Sequence, residues 1–117
     1  MKYSSLSVSL SENFLAVGAE NASFYSTETN VISKVGAAYI FKVQENGNYS
    51  FIDKVYAPNP SESDDFGKFL YQSANLLAVG ARYVDYRNLN NSGATYLYRI
   101  ESNETVSLIL LVKLLMK

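Results

Sequence analysis

The chain contains no cysteine, no histidine and no tryptophan. Without cysteine there is no disulfide and no thiolate metal site, and the redox compartment leaves no mark on the sequence. Without histidine, the commonest general base and the commonest metal ligand are both missing. Charge is sparse and balanced: 11 acidic against 10 basic residues, a net charge of −1. That balance gives no electrostatic reason to expect nucleic acid or an anionic membrane surface as a partner. Long apolar runs are missing too. A secretory leader needs a basic start followed by about 7–15 apolar residues, but Met1 to Leu10 is interleaved with serine, so no signal peptide is read. The stretch from Leu108 to Lys117 is apolar, yet far short of the roughly 20 residues of a membrane-spanning helix.

What is present suits one folded domain. Hydrophobic residues make up 48% of the 117 positions and charged residues 18%, a composition that is not disordered. The strongest signal is a repeat. Leu15-Ala16-Val17-Gly18-Ala19 returns unchanged, 62 positions later, as Leu77-Ala78-Val79-Gly80-Ala81. Fixed-period self-similarity marks a repeat architecture.

The local patterns predict strands. Leu6, Val8 and Leu10 alternate with Ser7, Ser9 and Ser11, the period of a half-buried strand with its leucine side inward. Phe14 to Val17 is a second short strand, reached through the turn-like Ser11-Glu12-Asn13. Ala37 to Val43 is a third. Glu45-Asn46-Gly47-Asn48 reads as a hairpin turn, and Tyr49 to Tyr56 as the returning strand. The second unit repeats this order: Phe69 to Ser73, Leu76 to Val79, Ala94 to Ile100, a Glu101–Glu104 turn, and Thr105 to Leu115. Gly36 to Phe41 matches Gly93 to Tyr98 at an offset of 57, so the intervening loop is five residues shorter in the second unit. Surface loops tolerate such changes and packed strands do not. Each unit therefore predicts four antiparallel strands, the make-up of a propeller blade. The alternative is a single eight-stranded sandwich or barrel.

These motifs resemble the FG-GAP repeats of the integrin alpha-chain propeller and its bacterial relatives. The family pattern is a Phe-Gly, a short strand, a Leu-Ala-Val-Gly-Ala-like strand, a polar loop, then Gly-Ala-x-Tyr-x-Phe. Phe66-Gly67, Leu77–Ala81 and Gly93–Tyr98 follow that order, as do Leu15–Ala19 and Gly36–Phe41; where the first unit should carry its Phe-Gly it has Ser4-Ser5. The resemblance implies an all-β chain of two four-stranded antiparallel blades, residues 1–61 and 62–117. The residue after Gly-Ala, often proline in the family, is here Glu20 and Arg82. Calcium-binding members carry an Asp-rich loop, since a hard cation needs six to eight oxygens. The matching hairpins, Ser11-Glu12-Asn13 and Ser73-Ala74-Asn75, are too short and poor in carboxylates, so no calcium site and no other cofactor is expected.

Few residues invite a chemical role. Asp65-Phe66-Gly67 is superficially the kinase magnesium motif, but its companion motifs are absent; Phe66 as a wedge in the blade core and Gly67 in a tight turn is the simpler reading. Glu62, Asp64 and Asp65 form an acidic cluster, read as a solvated loop after Pro58 and Pro60. Four N-glycosylation patterns, at Asn21, Asn48, Asn90 and Asn103, carry little weight in a chain rich in Asn and Ser. The candidate ligand contacts are loop aromatics: Phe24 and Tyr25 in the first long loop, Tyr83 and Tyr86 in the second. Equivalent loops leave a propeller on one face, and aromatics are enriched at binding hot spots; packing against a neighbouring blade is the competing role.

Two blades do not close a ring of about four to eight, and bare apolar edges seek partners. The chain therefore reads as incomplete alone: part of a larger propeller, or a subunit that assembles with copies of itself. By resemblance the function is non-enzymatic, a protein- or glycan-binding, adhesion-type module of an extracellular or cell-surface protein. Two rivals stand beside it, a truncated piece with no independent function and an accessory propeller of a separate hydrolase.

Overall fold

The computed structural model describes residues 6–20, 22–25, 31–32, 35–57, 66–81 and 93–113. The described elements are all strands: β1 (Leu6–Leu10), β2 (Phe14–Ala19), β3 (Phe24–Tyr25), β4 (Val31–Ile32), β5 (Ala37–Val43), β6 (Tyr49–Val55), β7 (Phe66–Ser73), β8 (Leu76–Ala81), β9 (Ala94–Ile100) and β10 (Val106–Lys113). They form two four-stranded antiparallel sheets, ordered β1-β2-β5-β6 and β10-β9-β8-β7, and a small β3-β4 ribbon. The two sheets are the two blades that the repeat predicts.

The β3–β4 ribbon lies inside the first long loop, with Phe24 paired to Ile32 and Tyr25 to Val31. That connection is thus more than a loop. The C-terminal stretch, expected as a strand, pairs only with β9 along its edge, and Leu108 to Val112 are exposed.

Turn chemistry repeats with the strands. In the β5–β6 hairpin the Gly47 amide donates to the Gln44 carbonyl (3.0 Å), and Asn46 Oδ1 accepts from the Asn48 amide (3.0 Å). In the β9–β10 hairpin the Glu104 amide donates to the Glu101 carbonyl (3.0 Å), and Asn103 Oδ1 accepts from the Thr105 amide (3.3 Å). Between β2 and β5 the Val43 amide donates to the Asn13 carbonyl, and between β8 and β9 the Ile100 amide donates to the Asn75 carbonyl, both at 2.8 Å.

The core lies between the sheets. Ala16, Ala38 and Ile40 of the first sheet meet Phe66, Leu77, Val79, Tyr96 and Tyr98 of the second. One expectation is reversed here. Val8 and Leu10 are 63% and 69% exposed, while Ser7 and Ser9 face β7. The reason is steric and polar: β7 runs so close to β1 that its backbone needs small, hydrogen-bonding neighbours. The Ser7 hydroxyl donates to the Gly67 carbonyl (2.7 Å), and the Gln72 side-chain amide donates to the Ser9 carbonyl (2.6 Å). The leucine side of β1 points away from the second sheet.

Candidate functional site

The Phe-Gly dipeptide is the joint between the sheets. Phe66 is fully buried, with edge-to-face contacts to Tyr96 (ring centroids 5.2 Å apart) and Tyr98 (6.3 Å). Such pairs add about 0.5–1.5 kcal/mol beyond area burial. Gly67 does not sit in a turn, as the sequence led us to expect. It belongs to β7, in a register shift between Phe66 and Phe69, with φ of +94°. That conformation is costly for any residue with a Cβ. It also lets the backbone press onto the first sheet: a Cβ on Gly67 would lie 2.6 Å from the Ala37 carbonyl oxygen. On the facing side, a Cβ on Gly18 would overlap the Gly67 carbonyl oxygen, and one on Gly36 the Phe66 carbonyl oxygen. The Phe66 amide donates to the Val35 carbonyl (3.1 Å), and Gly36 forms an isolated parallel bridge with Phe66.

Polar groups fasten the rim of this joint. Gln72 Oε1 accepts from the Ser11 hydroxyl (3.2 Å). Glu20, 7% exposed, takes an ion pair from Lys68 Nζ at 3.3 Å. The residue after Gly-Ala in one unit therefore grips the residue after Phe-Gly in the next. The Tyr98 hydroxyl donates to the Tyr56 carbonyl (3.4 Å). Burial pushes the Tyr98 phenol well above its ordinary pKa, and the neighbouring Tyr96 adds to the shift.

Each sheet also has an outer face. On the first sheet, Leu10, Leu15, Phe41 and Phe51 lie side by side across four strands, next to a row of Val8, Val17, Tyr39 and Lys54. Phe41 meets Tyr49 and Phe51 edge-on, each at 5.7 Å, and Tyr49 and Phe51 are exposed. Lys54 Nζ stands 5.1 Å from the ring centroids of both Tyr39 and Tyr56. Contact with the Tyr56 hydroxyl raises its pKa, with a smaller opposing effect of burial and a further rise from Tyr39. On the second sheet, Phe69, Tyr71, Ala78, Gly80, Gly93 and Thr95 line an open groove of about 330 Å³.

Of the four loop aromatics, Phe24 and Tyr25 fall on β3 rather than in irregular loop. Tyr83 and Tyr86 lie outside the described residues, as do Glu62, Asp64 and Asp65. Among the described residues, no three acidic side chains gather closely enough to hold a metal ion. The sheet faces were missed from the sequence, although the paired Gly18 and Gly80 of the pentapeptides are the signal that finds them.

The model of the FG-GAP repeat family matches residues 49–98. The chain carries an FG-GAP repeat. The matched span opens on β6 of the first sheet and closes within β9 of the second, so the FG-GAP sequence unit runs one strand out of step with the sheets. It straddles the interface, with Phe66-Gly67 about a third of the way along it. No curated protein and no solved structure matches the chain. FG-GAP repeats are propeller-type modules, and the two sheets here are blades of that type.

Proposed function

We propose that this chain is a non-enzymatic interaction module, an FG-GAP portion of a larger propeller of the protein- or glycan-binding, adhesion type at the cell surface. The observation that carries the reading is the pair of outer faces. The two blades bury one face each against the other, and among the described residues nothing covers the apolar face that each turns outward, with Val8, Leu10 and Phe51 on one side and Phe69 and Tyr71 on the other all more than half exposed. Further blades, in other segments or other chains, are the natural cover, because an open stack of two cannot close.

Ligand contact is assigned to the connections after β2 and β8. β2 and β8 both end beside the Gly36–Phe66 bridge, which supports assigning that role to Phe24, Tyr25, Tyr83 and Tyr86. The test is binding to a glycan array and to a panel of cell-surface proteins, comparing the wild-type chain with the double variant Phe24→Ala/Tyr83→Ala. Loss of binding at an unchanged melting temperature supports the reading. Undiminished binding removes these aromatics from it, and binding to neither panel removes the adhesion role.

A further inference from the structure

We infer that the β9–β10 hairpin is an N-glycosylation site and that Asn103 is its acceptor. The inference rests on the reading of the chain as a cell-surface module, because lipid-linked glycans are transferred to proteins bound for the outside of the cell.

Four Asn-x-Ser/Thr patterns occur in the chain, and the structure separates them. Asn21 and Asn90 lie outside the described residues. Asn48 and Asn103 are both exposed, each in the outer hairpin of its sheet, so access alone does not choose between them. The hydroxyls do. In a strand, residues two apart sit about 7 Å from each other, too far for a short hydroxyl to reach the amide. Ser50, the hydroxyl residue that goes with Asn48, lies on β6, and its Oγ accepts from the Gln44 side-chain amide at 3.2 Å. Thr105 instead closes a turn. Its hydroxyl donates to Asn103 Oδ1 at 2.7 Å, and its backbone amide donates to the same oxygen at 3.3 Å. Asn103 Nδ2 makes no hydrogen bond to any described residue.

That arrangement suits the chemistry. A carboxamide nitrogen is a weak nucleophile, because its lone pair is shared with the carbonyl. Two hydrogen bonds on Oδ1 draw charge toward oxygen and acidify the Nδ2 protons, one of which must be removed. Nδ2 bonds to the anomeric carbon of a polyprenyl-pyrophosphate-linked glycan. The bond from that carbon to the phosphate oxygen breaks, its electron pair leaves with the lipid pyrophosphate, and the proton passes to a base of the transferase.

Two neighbours fit the role. Glu101 places a carboxylate two positions before Asn103, where the other three patterns have Ala19, Asn46 and Asn88. The Glu101 amide donates to the Thr105 carbonyl at 2.7 Å, and its carbonyl accepts from the Glu104 amide at 3.0 Å. One tight turn thus carries the carboxylate, the acceptor amide and the hydroxyl, three handles for an enzyme. The second neighbour is β10. Among the described residues it pairs only with β9, and Leu108 to Val112 are exposed. Bare apolar edges invite pairing with other chains, and a bulky, solubilising glycan at the tip of this hairpin would stand in the way.

The test incubates the purified, folded chain with an oligosaccharyltransferase that accepts folded proteins and its polyprenyl-pyrophosphate-linked oligosaccharide. Intact mass and peptide mapping then locate the glycan. One glycan per chain, on Asn103, is expected. Thr105→Val, which keeps the shape and loses the hydroxyl, should abolish it. Glu101→Gln should slow it about tenfold or more, the worth of one hydrogen bond to a charged group. Circular dichroism checks that both variants fold, and the wild-type map decides the site without them. No glycan, a glycan on Asn48 in equal yield, or full modification of Thr105→Val would each overturn the site. An unchanged rate with Glu101→Gln would overturn the part given to the carboxylate. If the chain takes the glycan yet binds neither the glycan array nor the protein panel, the site stands and the adhesion role falls. If it binds but takes no glycan, only the site falls.

Discussion

Leu15–Ala19 and Leu77–Ala81 carry the same side chains in the same order, yet they bury opposite sides. In the first sheet Ala16 and Gly18 are buried, and Leu15, Val17 and Ala19 are half-buried. In the second sheet Leu77, Val79 and Ala81 are buried, and Ala78 and Gly80 are half-buried. A strand with period two has two faces, and this pentapeptide makes both of them useful. One face, Ala-x-Gly, is small and admits another chain's backbone. The other, Leu-x-Val-x-Ala, is large and fills space. The first sheet shows its small face to the second sheet's large face. What is buried is decided by the neighbour and its direction, not by the local sequence, and the same pairing can continue at both ends of the stack.

The asymmetry is largest at the ring that joins the faces. Phe66 and Phe69 are three residues apart on one strand, the first fully buried and the second 61% exposed. Phe66→Ala should cost about 3–5 kcal/mol, the range for a buried ring lost to a cavity. Phe69→Ala should change stability by no more than about 0.5 kcal/mol. Urea melts of the two variants measure the difference. Comparable losses would mean that both faces of β7 are packed and that the stack has no free side.

The pentapeptide glycines test the same asymmetry with one substitution made twice. A Cβ at Gly18 collides with the Gly67 carbonyl, whereas one at Gly80 does not collide. Gly18→Val should therefore destabilise by about 1–3 kcal/mol or more, as overpacking does. Gly80→Val should be close to neutral, because valine suits a strand and the space is there. Equal denaturation midpoints would dissolve the comparison.

These contrasts also show what could be read in advance. The strand order, the hairpin turns and the likeness of the two units were legible, because period-two alternation and turn residues are local. Which side of each strand would be inside was not. The Ser/Leu alternation of β1 predicts leucines inward, but Val8 and Leu10 face out because β7 needs the serines. The β3–β4 ribbon was hidden for a different reason. Phe24-Tyr25 and Val31-Ile32 are two-residue strands, too short to show any period. The joint itself was half legible. Phe66 could be expected in the core, but a glycine that lets one sheet's backbone touch another's depends on residues some 50 positions away. The groove at Gly80 becomes visible only once Gly18 is seen filled.

A smaller effect is expected at the polar rim. Gln72 and Leu10 occupy equivalent positions. Gln72 donates to the Ser9 carbonyl at 2.6 Å and accepts from Ser11, while Leu10 is 69% exposed. Gln72→Ala should cost about 1–2 kcal/mol, since it leaves polar groups at a partly buried interface unpaired. Leu10→Ala should cost less than about 0.5 kcal/mol. A Leu10→Ala loss as large as that of Gln72→Ala would show that the outer face of the first sheet is already covered.

The smallest effect lies in the hairpins, where the two units agree in shape and differ in fitness. Gly47 closes the first hairpin with φ of +88°, and Glu104 closes the second with φ of +66°. The left-handed region suits glycine and costs other residues roughly 1 kcal/mol or more. Glu104 receives little in return. Its contact with Lys42 is 3.5 Å long, with side chains 44% and 50% exposed for Lys42 and Glu104, and exposed pairs of this kind contribute about 0–1 kcal/mol. The turn's other bonds do not need the Glu104 side chain, since Asn103 Oδ1 accepts from Thr105 and the Glu101 carbonyl accepts from the residue 104 amide. Glu104→Gly should therefore raise stability by up to about 1 kcal/mol, a gain limited by the added freedom of glycine in the unfolded chain. The converse change, Gly47→Glu, should lower it by a similar amount. Opposite signs from the two exchanges, measured side by side in denaturant, would show one turn geometry met well by the first unit and poorly by the second. A loss in Glu104→Gly would mean instead that the ion pair to Lys42 helps hold the second hairpin against the first sheet.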